Sequence, residues 1–188
     1  MFERSRTEQI YDYIKVCADS NALIQGISGW AGFPCTLVVD GAVIFTHYAR
    51  MLNKIRSMYE RPAINEKEVV KLLPGLSEEL LFDLIGDKIL GNIPFVGIYF
   101  NAVCAKTLTW RLGILFAKLS MAGDDISVED ASAVLATIRE YFPHNDTFKF
   151  RQPSYDSFEL MLQLADSPSD SDLRERINSF FRKRSGTI

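Results

Sequence analysis

The sequence predicts an all-α fold, and three observations support that prediction. Apolar residues recur along the chain at the three- and four-residue spacing of amphipathic helices. No segment shows the sustained alternation of apolar and polar residues that a half-buried strand needs. The 188 residues are 47% hydrophobic and 24% charged, which is typical of one soluble globular domain or two small ones.

The short helices are predicted from apolar stripes and from residues that cap helix starts. The first covers 7–18, where Ile10, Ile14 and Cys17 lie on one stripe. A glycine-rich connector, Gly26–Gly32, follows it. Side chains such as Asn65 can accept a hydrogen bond from the first backbone amides of a helix, so they mark where one begins. The remaining short helices are predicted at 65–73, 77–89, 128–142, 157–165 and 172–183.

Two long helices are predicted at 34–59 and 95–121, where Pro34 and Pro94 mark their starts. Each is apolar on all sides in its first half, with Asp40 and Asn101 as polar exceptions, and then becomes amphipathic. We therefore expect two long antiparallel central helices, each ending in an exposed basic half. The apolar residues of the two second halves are Leu52, Ile55, Met58, Leu108, Leu112, Leu115 and Leu119. The basic residues opposite them are Arg50, Lys54, Arg56, Lys106, Arg111 and Lys118.

The two long helices also look like copies of one unit. Shifting the chain by 61 positions aligns three pairs of similar residues: Asp40 with Asn101, Thr46 with Thr107, and Arg50 with Arg111. A helical repeat usually packs against its copy because neither can bury its apolar face alone. The sequence predicts repeat units at about 26–73 and 87–140 within a helical domain at 1–166. Residues 167–188 are predicted to be a linker and a C-terminal amphipathic helix.

Three segments carry a resemblance to a known family. They read GISGWAGFPCTLVVDGAVIF, MLNKIRSMYERPAINEKEV and LGNIPFVGIYFNAVCAKTLTWRLG. Between about Gly26 and Met121 the chain resembles the EcsC-like bacterial helical proteins and the related helical domain of unknown function attached to some bacterial small GTPases. The resemblance implies a helical accessory domain with a membrane-proximal or secretion-related role. It implies no catalytic residues.

One polar group inside the apolar helices is a candidate site. An ionised carboxylate such as Asp40 is costly among apolar residues unless it is paired or hydrogen-bonded. Asn101 is its repeat mate, and His47 lies two turns further along the same helix. One interpretation is a ligand-binding or proton-relay site around Asp40, His47, Asn101 and Arg111. The other is a buried polar pair that fixes how the long helices pack.

Other motifs that could carry chemistry fit structural roles better. A nucleophilic pair of Cys104 and His47 is disfavoured because Cys104 stands in the most apolar part of the chain. The glycines near Trp30 lack the lysine and the preceding strand of a phosphate-binding loop. The acids of 124–130 do not have the spacing of a calcium loop, and two histidines make a zinc site improbable. The sequence therefore predicts no metal, no cofactor and no catalytic residue.

The C-terminal segment is a candidate contact surface. An apolar stripe is flanked by basic residues, so the segment can lie on an anionic membrane, fill a partner's groove or dock on its own domain. The residues predicted for such a contact are Arg174, Ile177, Phe180, Phe181, Arg182, Lys183 and Arg184.

These observations predict a non-enzymatic interaction or regulatory module, membrane-proximal or associated with a GTPase. The alternative is an enzyme or small-ligand-binding protein that uses the Asp40 site. A net charge of −3 disfavours nucleic acid as a partner and leaves a protein or an anionic membrane surface. Three cysteines without a CxxC pair favour a reducing, cytoplasmic location. The uncharged stretches Asn21–Val39 and Ile89–Ala105 contain glycine and proline, so we predict buried segments there rather than membrane spans.

Overall fold

The computed structural model describes residues 4–28, 36–69, 96–123, 138 and 150–164. Within those ranges, the side chains of residues 25–28, 36–45, 96–101 and 164 are not described. The described residues form α-helices and connecting loops without a β-strand, so the predicted all-α fold is confirmed for this part of the chain. The helices are α1 (Arg6–Ser28), α2 (Thr36–Met58), α3 (Val96–Ala122) and α4 (Tyr155–Leu164).

The predicted bounds of α2, α3 and α4 agree with the structure to within about two residues. A helical turn at 66–69 follows Asn65, whose Oδ1 accepts a hydrogen bond from the amide of Lys67 at 2.9 Å. The predicted helix at 77–89 and the one at 172–183 lie outside the described residues, as does the helix at 128–142 apart from Ile138.

Helix α1 is longer than predicted at its C-terminal end. Its start is fixed by a capping box in which Ser5 Oγ accepts a hydrogen bond from the Glu8 amide, and Glu8 Oε2 accepts one from the Ser5 amide. The helix then runs to Ser28, ten residues beyond the predicted end, and it includes Gly26 of the predicted connector. Packing on α3 explains the extension, because Ala18 and Ala22 are both buried against the rest of the fold.

Helix α3 is the central element. It runs antiparallel to α1, because Asp19 pairs with Lys106 while Ile14, earlier on α1, contacts Gly113, later on α3. From residue 109 to residue 118 every side chain of α3 is buried. The largest fully buried side chains of the fold are Trp110, Arg111, Tyr48, Phe116, Phe158, Ile10, Ile14, Met51, Ile55, Leu112 and Ile114.

The prediction that the two long helices are antiparallel is wrong. Tyr48 of α2 lies beside Thr109 of α3, with their hydroxyl oxygens 3.4 Å apart. Thirteen residues later, Arg61 reaches Gly123, where an added Cβ would lie 3.7 Å from Arg61 Nη2. The contacts advance in the same direction on both helices, so α2 and α3 are parallel. Residues 59–95 are numerous enough to return the chain to the end at which α2 began.

The prediction of an exposed basic half holds only in part for α2 and fails for α3. Arg50 and Lys54 of α2 are exposed, although Arg56 is buried and its Nε donates to the carbonyl of Pro62 at 2.8 Å. On α3, however, Arg111 and Lys118 are both buried. Arg50 and Arg111 are repeat mates, so equivalent positions of the proposed repeat have opposite environments. The internal repeat itself stays a prediction.

The turn that follows helix α2 contains a residue with strained backbone. Glu60 has a φ of 58°, the left-handed region in which a side chain is unfavourable. The amide of Arg61 donates to the carbonyl of Arg56 at 3.0 Å, and the amide of Glu60 donates to the carbonyl of Ser57 at 3.1 Å. This is the Schellman arrangement, in which the left-handed position usually holds glycine.

We expect Glu60→Gly to raise the free energy of unfolding by about 0.5 to 1 kcal/mol. Glycine relieves the strain of the left-handed conformation, and this gain exceeds the stability lost because glycine makes the unfolded chain more flexible. Chemical denaturation measures the change. Glu60→Ala is the matched control, since it also loses the exposed ion pair with Arg6 but keeps a Cβ at this φ. Equal stability of the two variants would contradict strain at Glu60.

Candidate functional site

The predicted polar site is not assembled from the side chains that the structure describes. His47 is exposed on α2, whereas Arg111 is fully buried in α3. Because successive helical residues are about 100° apart, Arg111 lies about 200° around α3 from Thr109, which contacts α2. Arg111 therefore points away from the helix that carries His47. Asp40 and Asn101 lie in α2 and α3, but their side chains are outside the described set.

The side of α3 that faces away from α2 is polar and buried. Thr107, Arg111 and Lys118 lie on this side at a spacing of four and seven residues, and each is at most 4% exposed. Thr107 Oγ1 donates to the carbonyl of Val103 at 3.0 Å, and both cations have interaction partners. A buried cation is stable only when it is paired or hydrogen-bonded, so the structure meets that condition here.

The pair of His47 and Cys104, which the sequence disfavours, is not formed. Cys104 lies about 220° around α3 from Thr109, on the side away from α2. Cys104 and Cys17 are both half-buried, and Cys35 is outside the described residues.

A polar layer connects α1, α2 and α3. Asn21 Nδ2 donates to Thr109 Oγ1 at 3.1 Å, and Tyr48 Oη lies 3.4 Å from the same oxygen. Thr109 Oγ1 also donates to the carbonyl of Ala105 at 2.7 Å. This layer was not predicted from the sequence, because Asn21 lies beyond the predicted end of α1. Its hydrogen bonds fix the relative height of the three helices.

Burial favours the neutral forms of two side chains near this layer, Tyr48 and Cys17. It raises the pKa of Tyr48 to about 12, and the hydrogen bond to Thr109 offsets only part of that effect. Burial also raises the pKa of the Cys17 thiol, and its hydrogen bond with Tyr13 opposes the shift in part. Since the thiolate is the reactive form of cysteine, Cys17 is not activated as a nucleophile.

The described residues contain no group of three histidine, cysteine or acidic side chains that could hold a metal ion. The acids of 124–130 and the residues His144 and Asp146 lie outside that set. The predicted contact residues of the C-terminal segment, at 174–184, also lie outside it. Among the helices that are described, none is long and apolar enough to cross a bilayer.

The surface feature that distinguishes this fold is the outer face of α1. We define the outer face by Val16, Ser20, Leu23 and Ile24. Val16, Leu23 and Ile24 are 61%, 68% and 42% exposed, although apolar residues of this size are usually buried. Val16 lies about 200° around α1 from Ile14, which is fully buried, so α1 presents apolar side chains both to the core and to solvent.

Sequence reasoning could have found this face only with the correct end of α1. With the helix ending at 18, Leu23 and Ile24 fall between the predicted helix and the glycine-rich connector and belong to no helix face. The signal was the i, i+7, i+8 spacing of Val16, Leu23 and Ile24, which continues the helical period through Ser28.

No family model, curated protein or solved structure matches the chain. The resemblance to EcsC-like bacterial helical proteins stays a prediction that rests on the sequence segments alone.

Proposed function

We propose that this protein is a non-enzymatic helical interaction module that binds a protein partner through the outer face of α1. The observation behind the proposal is the exposure of Val16, Leu23 and Ile24 on a helix whose other face is fully engaged with α3. An apolar stripe left in water on a rigid helix is a typical docking surface for an apolar helix of another protein.

The charges beside the outer face favour a protein over a lipid surface. Asp12 and Asp19 lie along one flank and are about half exposed, each in an ion pair. Insertion of the stripe into an anionic membrane would bring these carboxylates toward lipid phosphates of the same charge. A protein partner can cover the stripe and leave both ion pairs in solvent at the rim.

The EcsC-like resemblance supports the same kind of role, because it implies an accessory domain rather than an enzyme. A membrane-proximal or GTPase-associated place of action belongs to this proposal through that resemblance. The alternative of a ligand-binding site at Asp40 receives no support from His47 and Arg111, which lie in different environments.

Photo-crosslinking in living cells tests the proposal. With benzoylphenylalanine in place of Leu23, we expect an adduct to a discrete protein. The same probe at Lys54, which is exposed on α2, should give none. Val16→Lys should remove the adduct at position 23, because it places a charge in the stripe. Since Val16 is 61% exposed, this substitution should change the free energy of unfolding by less than about 0.5 kcal/mol.

An adduct that survives Val16→Lys would contradict docking on the outer face. The absence of any adduct at position 23 would contradict the proposal as a whole. A protein captured equally by the probe at Lys54 would indicate non-specific association and would count against the proposal.

A further inference from the structure

We propose that the partner bound at the outer face of α1 is a second copy of this chain, packed antiparallel across a two-fold axis beside Ser20. This inference rests on the proposed function and specifies its partner. It is drawn from the spacing, size and charge of the residues on that face.

The apolar residues of the outer face are spaced for self-association. Val16 and Leu23 are seven residues apart, which is two helical turns, so they lie in one line about 10.5 Å apart along the helix. In a two-fold dimer every contact occurs twice: if one residue of the first copy contacts another residue of the second copy, the same two residues also meet with the copies exchanged. An axis between Asp19 and Ser20 places Val16 of each copy against Leu23 of the other, and both contacts join two apolar side chains.

The residue nearest the axis allows the two helices to approach closely. Ser20 is exposed, and it lies between Val16 and Leu23 on the outer face. Two helices packed at about 8 to 10 Å need a small side chain where they come nearest. A long or β-branched residue there would hold the helices apart and prevent the two Val16–Leu23 contacts from forming together.

The charges on the flank of α1 match the same arrangement. Lys15 is exposed, and Asp19 follows it by one turn on the same flank. With the axis between Asp19 and Ser20, Lys15 of each copy lies on the same flank as Asp19 of the other, about 7.5 Å away along the helix axis. Asp19 Oδ1 already lies 2.6 Å from Lys106 Nζ of its own chain, so each carboxylate near the axis has a cation on both sides. That balance offsets the approach of the two Asp19 groups.

The size of the face sets the expected strength. A stable interface buries about 800 Å² on each partner, and four side chains of a single helix supply less than that. We therefore expect a weak, reversible dimer that forms as protein concentration rises from about 10 µM to about 1 mM.

Sedimentation velocity and disulfide trapping of the full chain test the dimer. The wild-type protein should shift toward the dimer over that concentration range, and Leu23→Lys should stay monomeric. Under mild oxidation, a mixture of Val16→Cys and Leu23→Cys should give a disulfide-linked heterodimer, because their Cβ atoms face each other across the interface. Either variant alone should give no more linked dimer than the wild type, which controls for the native cysteines. Lys54→Cys is the matched exposed control on α2.

Self-linked dimers of Val16→Cys alone would overturn the antiparallel arrangement. A wild-type protein that stays monomeric to about 1 mM, with no trapping in the mixture, would overturn the second copy as partner. If the crosslinker at Leu23 then still captures a different protein in the manner described above, the proposed function stands and only this inference fails. If it captures nothing, both fail.

Discussion

Replacing Gly113 with valine is expected to lower the free energy of unfolding by about 3 kcal/mol, because the substitution overpacks the contact between α1 and α3. A Cβ added at Gly113 would lie 2.7 Å from Ile14 Cγ1 and Cγ2 and 2.8 Å from Cδ1. Ile14 is fully buried, and the two Cγ atoms are attached directly to its Cβ, so the side chain cannot swing out of the way. Urea denaturation followed by circular dichroism measures the loss.

A double variant separates this clash from the general cost of valine in a helix. Ile14→Ala alone removes buried methyl groups and should destabilise the fold by about 2 to 5 kcal/mol. Combined with Gly113→Val, Ile14→Ala makes room for the new side chain. The double variant should therefore lose less stability than the sum of the losses in the two single variants. Ala122→Val, at the exposed end of α3, reports the cost of valine without a contact. Strictly additive losses would show that Ile14 is not the cause.

Replacing Phe158 with alanine is expected to lower the free energy of unfolding by about 3 to 5 kcal/mol, the usual cost of removing a buried aromatic ring. Phe158 is fully buried in α4, and its ring centre lies 5.6 Å from that of Tyr11 and 6.3 Å from that of Trp110. The ring therefore holds α4 on α1 and α3 at the same time. Denaturant unfolding gives the stability change, and near-ultraviolet circular dichroism reports the loss of packing around Trp110.

The neighbouring residue provides the control for α4. Glu159 is exposed one position further along the helix, so Glu159→Ala should change stability by less than about 0.5 kcal/mol. A second contact anchors the start of α4, since Tyr11 Oη donates to the carbonyl of Pro153 at 2.7 Å. If Phe158→Ala costs less than about 1 kcal/mol, α4 is held mainly by this hydrogen bond and by its other buried side chains.

The candidate interaction face could be predicted from the sequence only in part. The apolar spacing of Val16, Leu23 and Ile24 is present in the sequence, but exposure is not. A helix that is apolar on two sides can be buried on both. Tertiary contacts such as those of Ile14 with Gly113 and of Asp19 with Lys106 show which side of α1 faces α3, and so which side remains in solvent.

The sequence by itself determined the class of the fold and the positions of its main helices. Helical periodicity, prolines at helix starts and capping side chains are local signals, and they located α2, α3 and α4 to within about two residues. The end of α1 was not determined locally. Helical residues beyond Ala18 are held by tertiary contacts such as the hydrogen bond between Asn21 and Thr109.

Only the tertiary structure decided the direction of the helices and the environment of their charged residues. Periodicity defines a face on each helix but not which way the next helix runs, so α2 and α3 proved parallel where an antiparallel pair was predicted. The same limit applies to Arg111 and Lys118. A basic residue opposite an apolar stripe is exposed only if nothing covers that side, and α3 is buried on every side because it is the helix around which the others pack.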